Sequence, residues 1–352
     1  MKFLRLAFYV LIAQLVLSGC AGEGVEETSS SSSSEINFDA YLGRNASTRA
    51  GETNITSLQG PYPNSGFGVF ARYTHTDGTI SSLMDNEHVT WNGNGWGYAN
   101  TRYWPNQGTV DFYAFAPYHE SVKLVKNPNS SDANQTYIEF NSSKYPVDLV
   151  WGAQINKTAP TSPTDSKVKF EFKHALARLA FDITANQELE ENGAVIKIEK
   201  MMLYGYSEDK GAFDIKGYLD LKDGKWIPVT DQDTRAVYTW TPPDAVNGTI
   251  LKLTASQLDH KCTKIENAPN SYLCIIPQTK YNPFYLQITY TVQQGSFQEK
   301  KEVTVSKNLL DVHDPFTFEK GKAYVFHLKL SLDPINFNIT ADVEKFVEGK
   351  NE

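Results

Sequence analysis

The sequence predicts an all-β protein with little helix, built as two tandem antiparallel β-sandwiches of Greek-key type. Three observations carry this. Short runs alternating apolar and polar residues recur along the chain, broken by Gly, Pro, Asn and Asp, which is the pattern of sandwich strands. Aromatic residues make up 12%, with Tyr and Phe at 19 each, and such side chains suit pleated, half-buried strands. Long stretches of helical period are almost absent.

The first residues stand apart from that pattern. Lys2 and Arg5 supply positive charge, residues 6–17 are mostly apolar, and Leu17-Ser18-Gly19 leads into Cys20. That order is a secretory signal, to be set aside from the fold. Its apolar run is shorter than the roughly 20 residues that a membrane-spanning helix needs. A signal cut just before a cysteine resembles the bacterial lipobox, so residues 1–19 are expected to be removed and Cys20 lipidated. Residues 20–34, with Glu23, Glu26, Glu27 and a run of serines, cannot bury a core and read as a flexible tether.

Strands follow in order. Residues 36–42 alternate cleanly, and 66–73 place Phe67, Val69 and Ala71 on one face. Residues 89–91 and 96–98 flank Asn92-Gly93-Asn94-Gly95, the sequence of a hairpin turn. Residues 109–116 form an apolar strand stopped by Pro117, and 137–140, 149–153 and 168–172 continue the series. Residues 174–179 suggest one short helical turn before the chain extends again over 180–183. The polar stretch 186–193, with Glu188, Glu190 and Glu191, is the expected boundary between an N-terminal domain over 35–187 and a C-terminal domain over 188–352. The second set of strands is expected at 196–204, 212–221, 237–240, 250–253, 273–276, 285–292, 299–305, 324–332 and 335–343.

Composition and motifs narrow the function. A net charge of −8 with no basic stripe argues against a nucleic-acid partner. In an oxidising compartment Cys262 and Cys274 are expected to form a disulfide, the alternative being two buried thiols. None of the seven histidines forms a metal-binding motif, and there is no nucleophile elbow or phosphate loop. These absences point to no metal and no cofactor, and to binding or assembly over catalysis. His174, ahead of an apolar turn, reads as a packed or capping histidine. Trp91, Trp96, Tyr103 and Trp104 read as strand packing. Their alternative is an exposed stacking platform, which would make the protein a surface glycan-binding lipoprotein.

Several segments converge on one family. Ile36-Asn37-Phe38-Asp39-Ala40-Tyr41-Leu42-Gly43-Arg44 leads to Thr48-Arg49-Ala50-Gly51, and then to Gly66-Phe67-Gly68-Val69-Phe70-Ala71. Tyr103-Trp104-Pro105 precedes Asp111-Phe112-Tyr113-Ala114-Phe115-Ala116-Pro117. Asp148-Leu149-Val150-Trp151-Gly152-Ala153 precedes Phe172-Lys173-His174-Ala175-Leu176-Ala177-Arg178-Leu179-Ala180-Phe181, and Phe318-Glu319-Lys320-Gly321-Lys322-Ala323-Tyr324-Val325-Phe326 stands near the end. In order and spacing these resemble the fimbrillins, the type V pilus subunits of Bacteroidales.

The resemblance implies transthyretin-like sandwiches, export as an outer-membrane lipoprotein, and display in a cell-surface fimbria that contributes to adhesion. Its partners would be other fimbrillin subunits and an outer-membrane Arg/Lys-specific protease. That protease would cut after Arg49, with Arg44 the second candidate, and release a leaving strand whose apolar row is Ile36, Phe38, Ala40 and Leu42. The vacated groove would accept a donor strand from a neighbour. The last strand, with Ile335, Phe337, Ile339, Ala341 and Val343 in one row, starts Ile-Asn-Phe like the first, so both could fit one kind of groove. The alternative is that both are permanent strands of their own domains. Lys345-Phe346 stands where many members carry Trp, which leaves a stalk or a tip position open.

Overall fold

The computed structural model describes residues 34–43, 53–61, 65–131, 134–145, 147–162, 166–185, 195–230, 235–240, 273–293, 300–330 and 338–345. The first ten strands are β1 (Asn37–Tyr41), β2 (Phe67–Thr74), β3 (Ile80–Trp91), β4 (Trp96–Gly97), β5 (Thr109–Ala116), β6 (Leu124–Lys126), β7 (Gln135–Asn141), β8 (Val150–Lys157), β9 (Lys167–Glu171) and β10 (Lys173–His174). The remainder are β11 (Ala177–Ala185), β12 (Val195–Tyr204), β13 (Phe213–Asp214), β14 (Lys216–Asp220), β15 (Trp226–Pro228), β16 (Arg235–Ala236), β17 (Tyr238–Trp240), β18 (Leu273–Ile275), β19 (Gln278–Lys280), β20 (Tyr285–Gln293), β21 (Lys300–Asn308), β22 (Phe316–Phe318), β23 (Lys322–Leu330) and β24 (Asn338–Lys345).

Period-two alternation does what it predicts. In β20 the residues Leu286, Ile288, Tyr290 and Val292 are buried, while their neighbours are only half-buried. The hairpin around residues 92–95 also forms, pairing Thr90 with Gly97 and Trp91 with Trp96. The Asn92 side chain accepts from the backbone N–H groups of Asn94 and Gly95, which is how an Asx turn closes.

The central six-stranded sheet runs β10-β8-β5-β2-β3-β4. Its middle strands are buried on both faces. Val69, Phe112 and Ala114 enter one apolar cluster with Phe38, Val168 and Phe170 of β1 and β9. Phe70, Tyr113 and Phe115 enter another with Ile138, Phe140 and Leu219, from the sheet β15-β14-β7-β6. The central sheet therefore carries a layer on each face. A third cluster lies between two four-stranded sheets, β18-β11-β23-β24 and β17-β12-β20-β21, and holds Leu179, Phe181, Ile198, Met201, Ile288 and Phe326 among others.

Four features differ from the sequence expectation. β1 pairs parallel with β9, and β11 pairs parallel with β23, whereas the other pairings of the described strands are antiparallel. β11 sides with the second core although it precedes the expected boundary, because Ala177, Leu179 and Phe181 face that cluster. In return, the β14–β15 hairpin crosses over and pairs with β7, from Lys216 opposite Asn141 to Asp220 opposite Tyr137. Residues 174–179 are not helical: β10 ends at His174, the chain bends at Leu176 and β11 begins at Ala177, and Ala175 to Leu179 are all buried, which hides the strand period. Among the described residues of the first half, a helical turn lies instead at α1 (Ile55–Leu58). There Asn54 and Ser57 form a reciprocal capping box and Leu58 is buried.

Gly66 enters β2 with φ +80, and a Cβ there would collide with the Val89 carbonyl oxygen. Gly66→Ala is expected to destabilise the fold by about 1–3 kcal/mol. A urea midpoint equal to the parent's would show that this entry carries no such constraint.

Candidate functional site: the leading strand and its groove

β1 is a two-sided plug. Along one edge it runs parallel to β9, with Phe38 opposite Val168 and Ala40 opposite Phe170. Phe172 N–H donates to the Tyr41 carbonyl at 2.8 Å, extending that edge. Its beginning is held on the other side by the segment after β4. Ile36 N–H donates to the Arg102 carbonyl at 2.8 Å, and Trp104 N–H donates to the Ser34 carbonyl at 2.9 Å. Tyr98 hydroxyl donates to the Ile36 carbonyl at 2.7 Å, and burial pushes that phenol above its ordinary pKa.

The apolar row expected of this strand points inward. Ile36, Phe38 and Leu42 are buried, and Ala40 is half-buried against the same cluster. Phe38 sits at the centre, its ring centroid 5.4 Å from Tyr98, 5.9 Å from Phe170, 6.1 Å from Phe112 and 6.4 Å from Phe67. Without β1, Phe67, Phe112 and Phe170 would line an open apolar groove flanked by the unpaired edge of β9. Such a groove is both a strand-docking site and an aggregation hazard.

Past the candidate cleavage region the chain resumes at a buried ionic cluster. Asp148 has a fully buried carboxylate. Its Oδ2 accepts from Arg178 Nη2 at 2.8 Å and from Thr53 N–H at 3.1 Å. His174 Nδ1 lies 2.9 Å from Oδ2 and 3.1 Å from Oδ1. Thr53 hydroxyl donates to the Asp148 carbonyl at 2.5 Å. Burial raises the Asp148 pKa, but His174 and then Arg178 outweigh it and hold the carboxyl below its ordinary value. Thr53 is thus pinned, while β1 lies before it in the chain. His174 is a partner in this cluster rather than a cap. Nothing local in the sequence announced it, because Thr53 and Asp148 are 95 positions apart.

Other expected residues are placed differently or lie outside view. Cys20, Arg44, Arg49, Ile335 and Phe337 lie outside the described residues, as does Cys262; Cys274 sits half-buried on β18. β24 pairs with β23 at the end of its sheet, with Val343 54% exposed. For Trp96 and Trp104 the structure agrees with the packing reading. Trp104 packs on Phe112 and Trp96 on Phe67, both buried, which leaves Tyr103 as the exposed member of that pair of neighbours. Their indole faces are used by the core and are not free for a sugar.

Comparison with known proteins accords with this architecture. The fimbrium subunit Fim1C of Phocaeicola vulgatus is 24% identical, with 96% of each chain covered. The crystal structure of a fimbrial protein from Bacteroides vulgatus superposes with a TM-score of 0.64 at 20% identity, covering 89% of this chain and 99% of that one. The profile of the fimbrillin-like family matches residues 48–345, most of the sequence, and the chain belongs to that family.

Proposed function

We propose that the protein is a structural subunit, stalk or tip, of a cell-surface fimbria, exported as an outer-membrane lipoprotein through Cys20 and assembled by exchange of β1 for a strand of a neighbouring subunit. The observation that supports this best is β1 itself. It is the first of the described strands, its apolar row fills the middle of a core, and among those strands it is paired only with β9. In this reading an Arg/Lys-specific protease cuts after Arg49. The lipid, the tether and β1 leave together, and Thr53 stays anchored at Asp148. β24 is the strand to be donated, since it lies at the end of its sheet and the sequence leading into it, Ile335-Asn336-Phe337, repeats Ile36-Asn37-Phe38.

Limited digestion of the full chain with trypsin tests the reading. Cleavage after Arg49 should release the leading strand and produce ladders of oligomers stable to mild detergent. Arg49→Ala should abolish the ladders while leaving the monomer folded. If Arg49→Ala assembles as the parent does, the processing site lies elsewhere. If cleavage at Arg49 yields only monomers, strand exchange is wrong for this chain.

A further inference from the structure

A cavity lies away from β1, on the far face of the central sheet. It measures about 410 Å³, within the size range of small-molecule pockets. Its floor is apolar and fully buried, from Phe115, Ile138 and Phe140. Half-buried Val122, Val125, Tyr145 and Val147 line it above that floor. Three lysines, Lys123, Lys144 and Lys216, also line it, against a single carboxylate, Glu139.

That carboxylate is already engaged. Glu139 pairs with Lys216 at 2.8 Å. Lys123 and Lys144 are exposed and form no ion pair among the described residues. The protein as a whole carries a net charge of −8, but distant charges are screened within about 8 Å at physiological salt, so the local lysines set the sign of the field here.

We propose that this cavity binds an amphipathic carboxylate of the medium-chain fatty-acid type. The hydrocarbon part enters between the sheet of β5 and the sheet of β7, where it removes apolar wall from water. The carboxylate stays in solvent contact beside Lys123 and Lys144, which keeps both charges hydrated and avoids the cost of burying them. An uncharged chain of equal length would gain the apolar contact only. A small anion without a tail would gain only screened, exposed charge contacts, which are weak. The proposal does not depend on the fimbrial role.

Calorimetric titration of the full chain with decanoate and with decanol, both below their aggregation limits, tests it. Decanoate should bind with one-to-one stoichiometry and at least tenfold more tightly than decanol. The double variant Lys123→Glu, Lys144→Glu changes exposed side chains only; it should lose at least tenfold in decanoate affinity and keep that for decanol. Val125→Trp, which fills the wall, should weaken both ligands, provided its thermal midpoint matches the parent's. Absence of saturable decanoate binding, or equal decanoate affinity in the charge-reversed variant, would overturn the proposal.

Discussion

Phe38→Ala is expected to lower the free energy of unfolding by about 3–5 kcal/mol, the range for truncating a buried phenylalanine. A typical domain is stable by only about 5–15 kcal/mol, so this is a large fraction of the total. The expectation rests on placement. Phe38 is 1% exposed and packs against four aromatic rings belonging to β2, β5, β9 and the turn after β4. The β1 backbone cannot follow a shrunken side chain inward, because Ile36 and Tyr41 are hydrogen-bonded at both ends of the strand. A cavity should therefore persist. Urea unfolding gives the magnitude, and amide hydrogen exchange across residues 36–42 tells where it acts. If the strand is a separable plug, its amides should exchange much faster in the variant while those of β20 keep their protection. A loss below about 1 kcal/mol would show that the strand contributes little to this core.

Asp148→Ala is the second large effect, about 3–5 kcal/mol, because it takes the carboxylate out of a buried ion pair with Arg178. Arg178 is 4% exposed and the Asp148 carboxylate is completely covered, so solvent screening does little to soften the loss. The same variant carries a pH signature. The folded carboxyl is held below its ordinary pKa, so it adds stability above the unfolded value of about 3.9 and loses it as pH falls through the folded value. The difference in stability between parent and Asp148→Ala should be full at pH 7 and shrink progressively below about pH 4. Chemical denaturation of both proteins from pH 7 to pH 2.5 measures it. A difference that stays constant on acidification would mean that the carboxylate is not the ionised partner.

Much of the fold was legible because half-buried strands print their period on the sequence. The row in β20, the Asn-Gly turn at 92–95 and the inward row of β1 could all be read directly. Strand direction could not, since parallel and antiparallel neighbours demand the same alternation within one strand. That is why β1–β9 and β11–β23 were unforeseen. Membership of a core was equally hidden: β11 and the β14–β15 hairpin look like ordinary strands and are assigned only by what they meet in space. Residues 174–179 misled for a third reason. A bend and strand start covered on both faces show no polar side, so Ala175 to Leu179 reads like a buried helical turn. The Asp148 cluster joins residues far apart in the chain, and no local spacing could reveal it.

The crossing of the β14–β15 hairpin has a mechanical meaning. In the stalk position proposed above, a subunit would transmit tension along the fibre. Were the two cores linked only by the chain between β10 and β11, that link would act as a hinge and extend first. Here Lys216–Asp220 is zipped along Gln135–Asn141, while β11, a few residues past the first core, lies inside the second. Pulling the cores apart therefore loads that ladder as well as the chain between β10 and β11. The two cores are thus tied by a strand ladder in addition to the connecting chain.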